Sequence, residues 1–418
     1  MGTRAAVFVL VLVAPAVLFG EIADWCFSAA AAAVGIAMLL TASRASLSRT
    51  WVGFRAAAPM AAILTAIPVL QLAPWAPSLL TSPIWNQASQ ALRVDLGRSI
   101  SLVPGATLSS LASLIALIAL ATATTLVAGD RRDAFWLLRA AGLTILIMLA
   151  LLMAGGWLSL IESDHRPILS LLGSLGVVVA TALGVAAFGR RASTDTPGSS
   201  RPITLALAAL LAAAGVLAQL SQPGVVGLIA TAAGIILCLL AARLPLPRIG
   251  GRVVLAITTA TTLLAIALAF GTGRDAGAAL TSMATARQDR AMTAQDAQRM
   301  LADTPPLGTG AGTLDFIAAA YGSRAGHRPP SAAIEAYVEF GAVGGMALLA
   351  AGLFLALKLL AGAARRGRDR HYPACAAAVI ALIMIRSFSD PGLTGAAPQI
   401  VVAVLVGIGL AQRRSAES

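Results

Sequence analysis

Apolar runs of membrane-spanning length recur along this chain, at about 5–20, 23–41, 57–73, 105–128, 134–157, 167–188, 202–220, 224–243, 252–270, 332–361, 372–389 and 394–411. Crossing the hydrocarbon of a bilayer takes roughly 20 apolar residues in a helix. Lipid offers the backbone no hydrogen-bond partner, so such runs must close their own bonds, and successive runs fold as helices. Only 11% of the residues are charged and 58% are hydrophobic, whereas a soluble protein carries about 25% charged residues. The sequence therefore predicts an all-α polytopic membrane protein of about 12 transmembrane helices and excludes a soluble enzyme. In chain order it divides into a nine-helix region over 1–270, a large polar loop over 271–331 and a three-helix region over 332–418. Arg4 precedes the first run as in a signal peptide, but no convincing cleavage site and soluble domain follow, so the run is expected to be a retained helix.

The formal net charge of +12 does not point to nucleic acid, because the basic residues sit in short loops between apolar runs. Arg44, Arg49 and Arg55, then Arg131 and Arg132, Arg190 and Arg191, Arg243 and Arg248, and Arg365 to Arg370 all fall after alternate runs. With the N-terminus inside, these loops hold most of the cations, and cytoplasmic loops are the ones enriched in Lys and Arg. Both termini are then cytoplasmic and the loop over 271–331 is extracytoplasmic. Trp75 and Trp85, in the outer segment 74–104, suit a short amphipathic helix at the membrane interface. Cys26, Cys238 and Cys375 are scattered, which argues against a disulfide framework, and no metal-ligand cluster or cofactor motif is evident.

Polar chemistry concentrates between Gly271 and Gly345. The segment from Ala284 to Asp303 lacks helix breakers and reads as a helix on which Arg287 and Arg290 share a face. Pro305-Pro306 should stop it, and Gly308, Gly310 and Gly312 allow close backbone approach, in a turn whose N–H groups suit a phosphate or sugar. Ser331 is a suitable cap for the next helix. Glu335 and Glu339, four residues apart, would place two carboxylates near its start. The bland reading of that pair is a capped, solvated helix end. Arg386 and Asp390 share the same spacing and are expected to pair, since neither side chain tolerates lipid alone.

Taken together these pieces resemble the O-antigen ligase and polysaccharide polymerase family of bacterial inner membranes. An arginine, Arg290, leads into PPLGTGAGTLDF (305–316), and Glu339 opens E-x-G-x-x-G (339–344). RSISLVPGATLSSL (98–111) is similar to the family's I-S-x-x-P-x-x-T, and RSFSDPGLTGAAP (386–398) to its S-x-x-D-x-P feature. Two positions depart from the pattern: Pro330-Ser331 stands where the family has His-Asn, with His327 three residues before Pro330, and Ser221-Gln222 stands where it has Ser-Arg. The resemblance implies a GT-C-like fold and metal-independent transfer of a glycan from a polyprenyl-diphosphate-linked donor to a glycan or lipid acceptor, without a cofactor. It makes His327, Glu339 and Arg290 the catalytic candidates. Arg287, Arg324, Arg328, Arg166, Gly308 and Gly310 become candidates for holding substrate, and a chain-length regulator becomes a possible partner. A non-catalytic assembly protein and a transporter are the other classes to weigh. No internal repeat supports the transporter.

Overall fold

The computed structural model describes residues 2–74, 83–94, 99–157, 166–189, 200–220, 225–242, 294–321, 331–365 and 369–413. Those residues contain helices and no strand. In chain order they form α1 (Gly2–Val13) and a 3-10 turn (Ala14–Phe19), α2 (Glu21–Thr41), α3 (Arg44–Phe54), α4 (Ala58–Leu72) and α5 (Pro83–Leu92). Then follow α6 (Pro104–Val127), α7 (Arg131–Trp157), α8 (Arg166–Gly189), α9 (Ser200–Leu220) and α10 (Val225–Ala242). The last are α11 (Ala294–Asp303), α12 (Leu314–Ala318), α13 (Ala332–Arg365), α14 (His371–Arg386) and α15 (Ala396–Ala411).

Every apolar run except 252–270, which lies outside the described residues, falls on helix. Among the described residues six helices are long and apolar enough to cross a membrane, or seven if α3 and α4, bent by 77°, form one broken span. The first run is shorter as α-helix than its apolarity suggests, because Pro15 lacks the N–H a continuing helix needs and the chain tightens to 3-10.

α8 is the hub, with 94% of its apolar window buried against α7, α9, α10 and α14. Gly173 and Gly215 let α8 and α9 touch backbone to backbone: a Cβ on Gly173 would lie 2.8 Å from the Gly215 carbonyl oxygen. Such close approach of small residues supplies the dispersion contacts that hold helices together where lipid removes the hydrophobic drive. The three C-terminal helices pack among the earlier ones. α14 packs on α10 and α8, and α15 packs on α6 and α7.

Contacts sort the connecting segments to two ends. At one, Arg4 pairs with Asp130 at 2.9 Å and Asp133 at 3.1 Å, Arg131 pairs with Asp369 at 2.6 Å, and Gln412 Nε2 donates to the Ala128 carbonyl at 2.5 Å. At the other, residues 71, 99–107, 306–314, 331–343 and 387–392 meet.

Candidate functional site

α13 is two helices joined across a kink. Gly341, at φ 73° and ψ 176°, interrupts it after its first turns. The first half is tied at its start: the Ile334 N–H donates to Ser331 Oγ at 3.4 Å, the cap the sequence predicts. The Ala332 and Ala333 N–H groups donate to the Asp390 and Ser387 carbonyls at 3.1 and 2.8 Å. Asp390 itself pairs with Arg386, as its spacing predicts. The guanidinium, 4% exposed, also donates to the Ser170 carbonyl at 3.0 Å and to Ser170 Oγ and Ser174 Oγ at 3.0 and 2.5 Å.

A break in a buried helix frees carbonyls that must find donors. The glycine turn supplies them. The Val338 carbonyl accepts the Thr309 N–H at 2.9 Å and Thr309 Oγ1 at 3.0 Å, and the Glu339 carbonyl accepts the Gly310 N–H at 3.3 Å. In return the Val343 N–H donates to the Pro306 carbonyl at 3.3 Å. Gln71, on α4 and 0% exposed, locks the junction. Its Nε2 donates to the Glu339 carbonyl at 2.7 Å and the Leu307 carbonyl at 2.8 Å, and its Oε1 accepts the Ala311 N–H at 3.0 Å. A third layer comes from the segment before α6, where the Leu102 N–H donates to the Thr309 carbonyl at 2.8 Å and Ser101 Oγ meets Thr107 Oγ1 at 2.7 Å.

This geometry corrects two expectations. Gly308 and Gly310 do not present an open cradle to a phosphate or sugar. The Gly308 N–H donates to the Pro305 carbonyl and the Gly310 N–H to Glu339. Their positive φ values of 77° and 120° serve close packing: a Cβ on Gly308 would overlap the Glu339 carbonyl, and one on Gly310 would lie 2.5 Å from Ser101 Oγ. Glu339 is likewise not a solvated carboxylate at a helix start. The break puts it at the end of the first half-helix, 7% exposed, where its side chain accepts N–H bonds from Gly312 and from Leu314, the latter at 3.4 Å. A carboxylate there gains nothing from the helix dipole, which favours anions at the other end. Only the two N–H groups offset its burial. Glu335, one turn earlier, is half-exposed.

Outside this knot a small apolar cluster of Ala297, Met300, Leu314, Ala318 and Val338 fastens α11 and α12 onto α13. α11 stops at Asp303, before Pro305-Pro306, as predicted; the part of that helix expected before Ala294 lies outside the described residues. Tyr321 donates to Asp303 at 2.9 Å. Burial first, and the Asp303 hydrogen bond and charge second, raise its pKa above the ordinary value of 10. Its phenol therefore stabilises the cluster fully below pH 10, and that contribution is lost as the pH rises through the raised value. Protection of the amides over Ala294–Asp303, taken relative to the intrinsic exchange rate at each pH, is expected to fall in alkali by about fivefold, the worth of one exposed hydrogen bond. Tyr321→Phe should abolish this pH dependence. An equal response in the variant would exclude Tyr321 as its source.

Arg287, Arg290, Arg324, His327 and Arg328 lie outside the described residues. Arg166 opens α8 on the same end as the knot, since Gly392 packs against the neighbouring Pro167 carbonyl; its own side chain is not among those described. Gln71 is the residue that reading the sequence misses. A glutamine inside an apolar run is its one signal, and a polar group at that depth needs partners. Among the described residues no cluster of three or more His, Cys, Asp or Glu side chains is placed to hold a metal ion. Comparison of the chain with known protein families and with curated proteins finds no match to either.

Proposed function

We propose that this chain is a multi-pass bacterial inner-membrane glycosyltransferase that moves a glycan from a polyprenyl-diphosphate carrier to a sugar hydroxyl on the outer face. In this reading the chain crosses about twelve times, with both termini cytoplasmic and 271–331 outside. One observation carries it. The four short motifs of the resemblance, spread from 98 to 398, are in direct contact: 98–111 bonds to Thr309, 305–316 bonds to Glu339, and Ser387 and Asp390 cap the half-helix that holds Glu339. Motifs that are independent coincidences have no reason to converge.

The chemistry follows from the residue types. The leaving group is a lipid diphosphate, already activated, so its departure calls for cations to take up the developing charge. Arg290 is assigned that role, with Arg287, Arg324, Arg328 and Arg166 holding the donor. The acceptor hydroxyl needs a base or an orienting acceptor, assigned to Glu339 and His327. No nucleotide or metal is required in this scheme. Acceptor glycan, donor glycan, membrane and a chain-length regulator are the partners it predicts. Arg290→Ala and His327→Ala, expressed in cells lacking the native copy, are each expected to lower surface glycan by about 100-fold or more, the scale of losing charge stabilisation or acid–base help. Normal glycan length and amount with both residues changed would overturn the assignment.

A second reading has a specific observation behind it. Broken helices at polar sites are a device of secondary transporters, and α13 is broken at Gly341. A transporter would carry the lipid-linked glycan across without changing its bond to the carrier. Glycan chain length measured on purified protein with a synthetic carrier separates the two, since only a transferase lengthens or moves the chain.

A further inference from the structure

The bent pair α3–α4 carries a feature that glycan transfer does not use. Along α3 and its C-terminal cap Arg55, which keeps helical dihedrals, Arg44, Ser48, Trp51 and Arg55 recur at intervals of four, three and four residues, which puts them on one stripe. All four are exposed, Trp51 by 61%. The opposite face is the one that meets protein: Gly53 is buried, and a Cβ there would lie 3.0 Å from the Leu410 carbonyl of α15. The helix is capped by Ser43, which accepts the Ser46 N–H at 3.2 Å. Its sequence, RASLSRTWVGF, contains no acid. The 77° bend to α4 turns it nearly flat to the bundle surface when α4 crosses the bilayer. It lies beside the end of α15, the end where Gln412 reaches Ala128 and where the basic loops gather.

We propose that α3 is an in-plane docking surface for anionic phospholipid headgroups, with Arg44 and Arg55 binding their phosphates and the Trp51 indole seated at the interface between them. Charge complementarity selects the occupant. Two guanidiniums flank an indole on a helix with no carboxylate, the composition of helices that lie on anionic bilayers. A stripe one side chain wide is too narrow for a stable protein partner, which needs about 800 Å² a side. The bend supplies the remaining requirement, since a helix continuing straight from α4 would carry its arginines away from the headgroup plane.

The test is amide hydrogen exchange over 44–55 in the whole protein held in nanodiscs, either of phosphatidylcholine alone or of phosphatidylcholine with phosphatidylglycerol. Each arginine near an anionic surface strengthens association about fivefold, so the pair is expected to slow exchange by roughly 25-fold in the anionic discs. Added salt should reverse the effect. Arg44→Gln/Arg55→Gln is expected to exchange alike in both lipids, with α8 as protected as in the wild type. Equal exchange of the wild-type helix in the two lipids overturns the proposal without recourse to any variant. So does a variant that keeps the lipid response. Inorganic phosphate reproducing the protection in neutral discs would make this a free-anion site, and protection seen only in crude membranes would make it a protein contact; either result sinks the lipid assignment.

Discussion

Gly341→Ala is expected to destabilise the protein by about 2–6 kcal/mol and to spring open the knot at the break in α13. Two costs combine. With φ 73° and ψ 176° the position lies in a region of backbone space that is essentially glycine's alone, at about 1–3 kcal/mol for an L-residue. The new Cβ would also overlap the Pro306 carbonyl, and forcing atoms into a packed site costs about 1–3 kcal/mol. Relief by pushing the turn away would release the bonds from Thr309, Gly310 and Gln71 to the first half-helix. Gly184→Ala is the control. Its Cβ would meet nothing within 4 Å, and alanine is the better helix former, so it should be neutral or slightly stabilising. Thermal unfolding in detergent, with limited proteolysis across 304–314, reads both. Gly341→Ala melting with the wild type would mean that the break is not what holds the turn.

Glu339→Gln should separate chemistry from packing. Glutamine has the same shape and keeps an oxygen to accept the Leu314 N–H, so the fold should survive with little change. It cannot take a proton from an acceptor hydroxyl. In the proposed transfer reaction, loss of a positioned base is expected to lower the rate by about 100- to 10,000-fold, read as glycan transferred per unit of folded protein. Glu339→Ala should do more: it leaves the N–H groups of Gly312 and Leu314 buried without their acceptor, at about 1–3 kcal/mol each, and lowers stability as well as activity. A glutamine variant of full activity would reduce Glu339 to a latch between turn and helix, and the base would have to be sought at His327.

Several parts of the site could be read along the chain because local spacing decides them. Ser331 caps because it precedes a helical run, and Arg386 and Asp390 pair because residues four apart share a helix face. The glycines of 308–312 were recognisable as positions of close approach, though not what approaches. Gly308 is filled by the backbone of residues 339–341, Gly310 by the Ser101 and Thr107 hydroxyls and Gly312 by the Ala106 carbonyl, and nothing in a turn sequence says whether a ligand or another segment of the same chain fills it. The break at Gly341 was hidden for a related reason. Glycine is common inside membrane helices, and EFGAVGG contains no proline. A helix gives up its own bonds there only because the turn and Gln71 offer replacements.

The sequence by itself determined that the described chain is helical and apolar, since a long greasy run has no other way to satisfy its backbone in lipid. The alternation of arginine clusters sets the expectation of which loops share a side. Only the tertiary structure decided that Glu339 is buried at a broken helix rather than exposed at a helix start. That outcome depends on a glutamine 268 residues away and on two carbonyls from the end of α14. Hydrophobic periodicity carries information over one or two turns. The partners of a freed carbonyl are chosen by which segments the packed bundle brings to the same end.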